Sequence, residues 1–300
     1  MTKIWMGVNP DVEVNNVLGD ELGLISTPWS NPLTSYELHH SQIESLVGLC
    51  AKKFEWEFII QPQVAPKPPG MNDLALNMGI AAHQAVHDIL KGGETAKIDE
   101  AYDRWVLPCI TDPTKEEKIH DEYQLNVFSA LDWIGNNLNY SQISSEQPFV
   151  IPAAHKLSPV LADIDPRWKL AGSMDIIQLD DANGRSKIVD LKFRGRSQYA
   201  RNKASSQAAM YGLASFYYGY EPEFTYLEVI KGKVIEQKVD LPAGKYDWLY
   251  IKARQAISNI ETGVYPLSPS GWWCSSRYCK WWSNCRGKYE PDTDEGNEDL

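Results

Sequence analysis

The sequence predicts one α/β core, a β-sheet flanked by helices, with a helical N-terminal portion before it and a cysteine-rich segment after it. Three observations lead there. Helical periodicity runs through residues 41–138, strand-like runs with turn residues fill 145–193 and return at 224–239, and further helices lie between and behind those strands. Three hundred residues at 43% hydrophobic content are enough for one large domain or two modest ones.

Taken in order, residues 1–35 are rich in Asn, Pro and Gly and carry no functional signal. Ile43, Leu46, Val47, Cys50, Phe54 and Phe58 recur at helical spacing and predict a helix over 41–60, with Ser41 and Glu44 as its capping box. QPQVAPKPPG breaks structure and reads as a linker. A second helix over 72–90 is closed by Gly92 and Gly93; His83 and His87 lie one turn apart on it, among the small residues Gly79, Ala81 and Ala82. A third helix spans 115–138, and SEQPFVIPAA reads as a strand. Strands at 171–178 and 188–193 then form a hairpin about the turn residues DDANG. RGRSQYARNK, the most cationic window, leaves that hairpin as a loop. Helix 204–218 follows, placing Gln207 and Tyr211 on one face, then strands 224–230 and 234–239 and a helix over 243–261.

The expected divisions are an N-terminal segment (1–70), the core (71–265), the cysteine-rich segment (266–289) and an acidic disordered tail (290–300). Net charge is −11, with six acidic and no basic residues in the last eleven, so any nucleic-acid surface has to be a local groove. No run reaches the length of a membrane span, and the start lacks the layout of a secretory signal, which predicts a cytoplasmic protein with no membrane partner. Five cysteines in such a chain argue for metal binding or free thiols over disulfides.

Chemistry concentrates in the hairpin. Side chains two apart on a strand share a face, so Val189, Leu191 and Phe193 form an apolar side, and Asp190 and Lys192 project from the other. Pairing with the preceding strand brings Asp175 beside Asp190, and two close carboxylates repel unless a cation lies between them. Alone, an Asp-x-Lys strand is also what a surface charge pair shows. At the other end, Cys274, Cys279 and Cys285 crowd into twelve residues, one ligand short of a tetrahedral zinc or an iron–sulfur cluster. Cys50, Cys109 or a histidine could complete the set. Trp272, Trp273, Trp281 and Trp282 bracket these thiols, as an apolar shield or as platforms for single-stranded bases.

From Ser41 to Cys285 the chain resembles the PD-(D/E)xK nucleases of the RecB type, in particular the iron–sulfur exonucleases typified by the CRISPR-associated RecB-like nuclease. The motifs stand in order: GxxxH at Gly79–His83, the strand aspartate in Gly172-Ser-Met-Asp175, (D/E)xK at Asp190-Leu-Lys192 and QxxxY at Gln207–Tyr211. The late cysteines are spaced C-x4-C-x5-C, whereas relatives more often place two residues between the first pair. The resemblance implies a restriction-endonuclease-like core with a central mixed sheet and a Mg²⁺- or Mn²⁺-dependent DNA exonuclease acting on single strands or ends. It implies His83, Asp175 and Asp190 as metal ligands and Lys192 as the residue serving the chemistry. Gln207, Tyr211, Arg194, Arg196 and Lys203 would bind substrate. A [4Fe–4S] cluster, with zinc as the other option, would sit on Cys50, Cys274, Cys279 and Cys285 and leave Cys109 free. Partners would be DNA and recombination, CRISPR or phage DNA-processing proteins, with no oligomeric state implied. A DNA-binding adaptor that keeps the nuclease fold, and a zinc-stabilised structural protein, are the other classes consistent with the residues.

Overall fold

The computed structural model describes residues 35–60, 74–153, 164–195, 197, 206–268, 274–276, 279 and 281–288. The expected linker at 61–70, the acidic tail, and Arg196, Arg201 and Lys203 lie outside the described residues. The strands are β1 (Glu37–His39), β2 (Ile143–Pro152), β3 (Lys169–Asp180), β4 (Arg185–Phe193), β5 (Glu221–Ile230) and β6 (Lys233–Val239). The long helices are α1 (Leu74–Leu90), α2 (Ala96–Trp105), α3 (Glu116–Asn137), α4 (Gln207–Tyr217) and α5 (Ala243–Thr262). They fall into two compact units, one built on residues 72–151 and 172–246, the other on 18–71, 152–171 and 247–300.

The first unit carries the sheet, in the order β3–β4–β5–β6 with β2 also pairing β3. The β3–β4 and β5–β6 pairs are antiparallel and β4–β5 is parallel, so the sheet is mixed as expected. A parallel step needs a crossover, and α4 supplies it between β4 and β5. The β5–β6 hairpin turns through Lys231 (φ 51°) and Gly232 (φ 75°), the two left-handed residues of a two-residue turn. β4 is central, and Ser186 and Ile188 to Leu191 are all buried. Val189 and Leu191 join Ile176, Leu227 and Val229 in a core closed by α1, α2 and α3. Tyr123 on α3 locks these helices together, its hydroxyl reaching the carbonyls of Ile98 (2.9 Å) and Ala81 (3.3 Å).

In the second unit β1 pairs parallel with the first residues of β3, Leu38 facing Leu170. The helix expected over 41–60 is a broken run. Two α-helical turns alternate with π-helical stretches at Glu44–Leu49 and Glu55–Ile60, and Cys50 between them is extended (φ −154°, ψ 111°). The cap also lies earlier than Ser41, because the Gln42 side chain accepts from the His39 N–H at 2.9 Å. Lys252 on α5 bonds Glu44 at 2.8 Å, and Trp168 donates to Glu261 at 2.8 Å. No helix among the described residues is long and apolar enough to cross a membrane.

Candidate active site

The β3–β4 register sets the site. Ile176 pairs with Val189, and continuing that register one step puts Asp175 opposite Asp190. Directly opposed residues of antiparallel strands share a face, which brings the two carboxylates together. Asp175 Oδ2 accepts the Leu191 N–H at 2.8 Å and lies 3.6 Å from His83 Nδ1. The His83 ring meets Phe193 edge-on, with centroids 5.3 Å apart, and Gly79 one turn earlier faces the Phe193 carbonyl. Four motif residues from α1, β3 and β4 therefore converge.

Asp190 is fully buried. Its Oδ1 accepts from Gln207 Nε2 at 2.6 Å, and the same nitrogen donates to the Tyr211 hydroxyl oxygen at 3.0 Å. Its Oδ2 lies 2.5 Å from the Lys192 ammonium yet takes no hydrogen bond of good angle. Gln207 and Tyr211, expected to touch substrate, are themselves buried, Gln207 holding the aspartate and Tyr211 accepting from Gln207. Their helix packs on β4 and β5, so the polar atoms of its first turns point at the sheet and not at solvent. Gly172 is the point of closest approach beneath them, since a Cβ there would lie 2.8 Å from the Phe149 ring and 3.5 Å from Tyr211.

The electrostatics follow from burial. Loss of solvent pushes the Asp190 carboxyl up to about 6, aided by Asp175 and opposed by Lys192. Asp175 is also raised by burial, against Lys192 and the Leu191 N–H. His83 is lowered to about 4, by burial first and then by Lys192, so its imidazole is neutral near pH 7. A neutral imidazole beside two hard carboxylate donors fits a divalent cation such as Mg²⁺ or Mn²⁺. Among the described residues, no three His, Cys, Asp or Glu side chains stand at metal-ligating spacing; the carboxylates turn instead to Leu191, Gln207 and Lys192. His87, one turn beyond His83, keeps a buried Nδ1 with no hydrogen bond and is lowered to about 4 by burial.

Two acidic residues escaped the sequence reading. Glu146 on β2 accepts from Ser173 at 3.2 Å, and burial, with Asp175 next in importance, raises its carboxyl to about 7. Its backbone sits at φ 50°, a left-handed conformation that costs a non-glycine residue about 1–3 kcal/mol. A charged residue inside SEQPFV was the available signal. Glu228 on β5 is completely buried and collects Arg194 Nη1 at 3.0 Å, Ser197 at 2.5 Å and Gln237 at 2.7 Å. Arg194, expected to hold DNA backbone, thus has its guanidinium drawn onto a buried carboxylate. The physical reason is that a buried charge needs an opposite one.

The expected cluster residues all belong to the second unit. Each of the five cysteines is a free thiol. Burial raises the Cys279 and Cys285 thiols, and both also feel Cys50 and Cys274, so the four converge without standing at ligating spacing. Trp281 is buried and stacks on Trp56 with centroids 6.1 Å apart, which fits the apolar-shield reading. Cys109 belongs to the first unit, where it accepts from Asn77 at 3.0 Å.

Comparison with known proteins bears on the whole arrangement. No curated protein matches the sequence. The protein SSO0001, of known crystal structure, shares 13% identity at a TM-score of 0.44, over 85% of this chain and 88% of that one. A Eubacterium rectale protein bearing a provisional exonuclease name shares 12% identity at a TM-score of 0.51, over 84% of this chain and 92% of that one, a likeness of fold alone. Residues 40–286 match the family described as the PD-(D/E)XK nuclease superfamily, a span that holds every motif residue above. The chain belongs to the PD-(D/E)XK nuclease superfamily.

Proposed function

We propose that this protein is a Mg²⁺- or Mn²⁺-dependent deoxyribonuclease that works as an exonuclease on single-stranded DNA or DNA ends. The observation that carries the reading is the buried Asp190, held between Gln207 and Lys192 and set opposite Asp175, with neutral His83 beside it. His83, Asp175 and Asp190 would hold the cation, which when bound activates a water and neutralises charge on the scissile phosphate. Lys192 keeps its ammonium at the carboxylate edge, where it orients the attacking water and stabilises the extra negative charge of the transition state. Gln207 and Tyr211 act through Asp190, fixing which oxygen faces the substrate. Arg196 and Lys203 belong to the cationic segment through which the phosphodiester backbone would enter, and Arg194 anchors the start of that segment to Glu228.

For the second unit we propose a [4Fe–4S] cluster on Cys50, Cys274, Cys279 and Cys285, supported by four convergent free thiols and by buried Trp281 stacked on Trp56. We propose as well that the chain divides at about residues 70, 265 and 289 and that it serves recombination or CRISPR- or phage-type DNA processing. The test is to incubate end-labelled single- and double-stranded DNA with the protein and Mn²⁺ or Mg²⁺. Release of mononucleotides or short products, lost on chelation and in Asp190→Asn, is expected; wild-type cleavage by that variant would refute the assignment. Protein purified without oxygen should contain iron and acid-labile sulfide, and stoichiometric zinc in their place would remove the cluster.

A further inference from the structure

A cleft of about 590 Å³ opens in the first unit beside the candidate site. Leu76 and Met78 from α1, Glu122 and Asn126 from α3, and Phe193 and Arg194 from the end of β4 line it. Its place is fixed by two motif residues. Phe193 directly follows Lys192 and touches the His83 ring, and Ala82 at the end of the α1 wall directly precedes His83. We propose that this cleft is a nucleobase subsite, receiving the base of the nucleotide next to the scissile linkage. The proposal rests on the nuclease reading above and extends it to how the strand is read.

The lining chemistry selects a base over the other parts of a nucleotide. A phosphate would meet the Glu122 carboxylate, and the Arg194 guanidinium is already bound to buried Glu228. The walls are instead the Phe193 ring and the apolar side chains of Met78 and Leu76, the latter 61% exposed. Polar groups stand at one side. Asn126 uses its carbonyl oxygen to accept the Gly232 N–H at 2.8 Å, which directs its amide nitrogen elsewhere as a donor, and Glu122 is an acceptor. One donor and one acceptor over an apolar slot match the edge of a heterocycle that has both a ring carbonyl and an amino group. The volume lies inside the range of about 300–1,000 Å³ typical of small-ligand clefts.

A strand of single-stranded DNA carrying one abasic site at successive positions tests this. With wild-type protein, kcat/KM should fall about tenfold when the abasic site occupies the position beside the scissile linkage, and little elsewhere. Leu76→Ala should lower kcat/KM on intact DNA and reduce the abasic penalty to below about threefold, because the lost contact is the same one. Glu122→Gln should reorder the preference among the four bases at that position, which a merely structural residue would not do. If intact DNA is cut but the abasic walk is flat, or the penalty is unchanged in Leu76→Ala, the subsite is wrong and the nuclease reading stands. If intact DNA is not cut by the wild type, both fall.

Discussion

Replacing Asp190 by asparagine should abolish cleavage and make the protein more stable. The aspartate is fully buried and its carboxyl titrates near 6 in the fold, against an ordinary value of 3.8, chiefly because burial disfavours the anion. Holding the ionised carboxylate in a site that favours its protonated form this strongly destabilises the native state by roughly 3 kcal/mol. The folded protein holds its proton between pH 3.8 and 6 while the unfolded chain releases it, so stability falls across that window as pH rises and is level above it. Asparagine carries no such charge and can still accept from Gln207, and Lys192, at 22% exposure, keeps access to water. The stability gap in favour of Asp190→Asn should therefore be about half of its full size at pH 5 and roughly 3 kcal/mol at pH 7.5. Urea unfolding of both proteins at the two pH values, with unchanged m, measures it. Equal or lower stability of the variant at pH 7.5, or a gap independent of pH, would refute the account of Asp190 as a strained charge.

Lys192→Ala should lower kcat by on the order of 10²–10³, with KM little changed, because its ammonium acts on charge that develops in the transition state; steady-state kinetics on labelled DNA decide this. Gly172→Ala drives a methyl group into the Phe149 ring, which is only 2% exposed, and should cost about 1–3 kcal/mol by chemical denaturation. Glu228→Ala takes the buried carboxylate from Arg194, Ser197 and Gln237 and should cost about 3–5 kcal/mol, whereas Glu228→Gln, which still accepts hydrogen bonds, should lose less; calorimetry of the pair gives the comparison.

The hairpin was legible because two local codes agree there. Alternation of Val189, Asp190, Leu191 and Lys192 gives the strand, and DDANG gives the turn, so the juxtaposition of Asp175 and Asp190 follows from register alone. The long helices α1 and α3 were equally plain from their periodic apolar faces. Helix α2 was missed although Ile98, Ala101 and Tyr102 bury at i, i+3 and i+4, because ten residues leave room for few such repeats. β1 has three residues and exists only through its pairing with β3. The break at Cys50 was invisible for another reason: π-helical turns shift the phase of the repeat without changing which residues are apolar. Gln207 and Tyr211 were singled out by type and spacing, but whether they face substrate or the aspartate depends on how α4 docks on the sheet, which no local pattern encodes. Glu228 and Glu146 gave only the weak signal of an acid in an apolar strand.

The parallel pairing of β4 with β5 has a consequence for how this chain tolerates length changes. Asp190 stands against Tyr226 and Lys192 against Glu228 in a register shared across the whole strand, and side chains alternate with a period of two. A single codon inserted between Ser186 and Val189 would turn the carboxylate and the ammonium toward the helices α1 to α3 and bring Val189 and Leu191 to the site, while leaving composition almost unchanged. The same codon inserted among Asp181 to Gly184, in the exposed turn, would leave the register of both strands intact. In a collection of random single-residue insertions, active clones should be found in the turn and none in the following strand, although the two windows are neighbours in the gene.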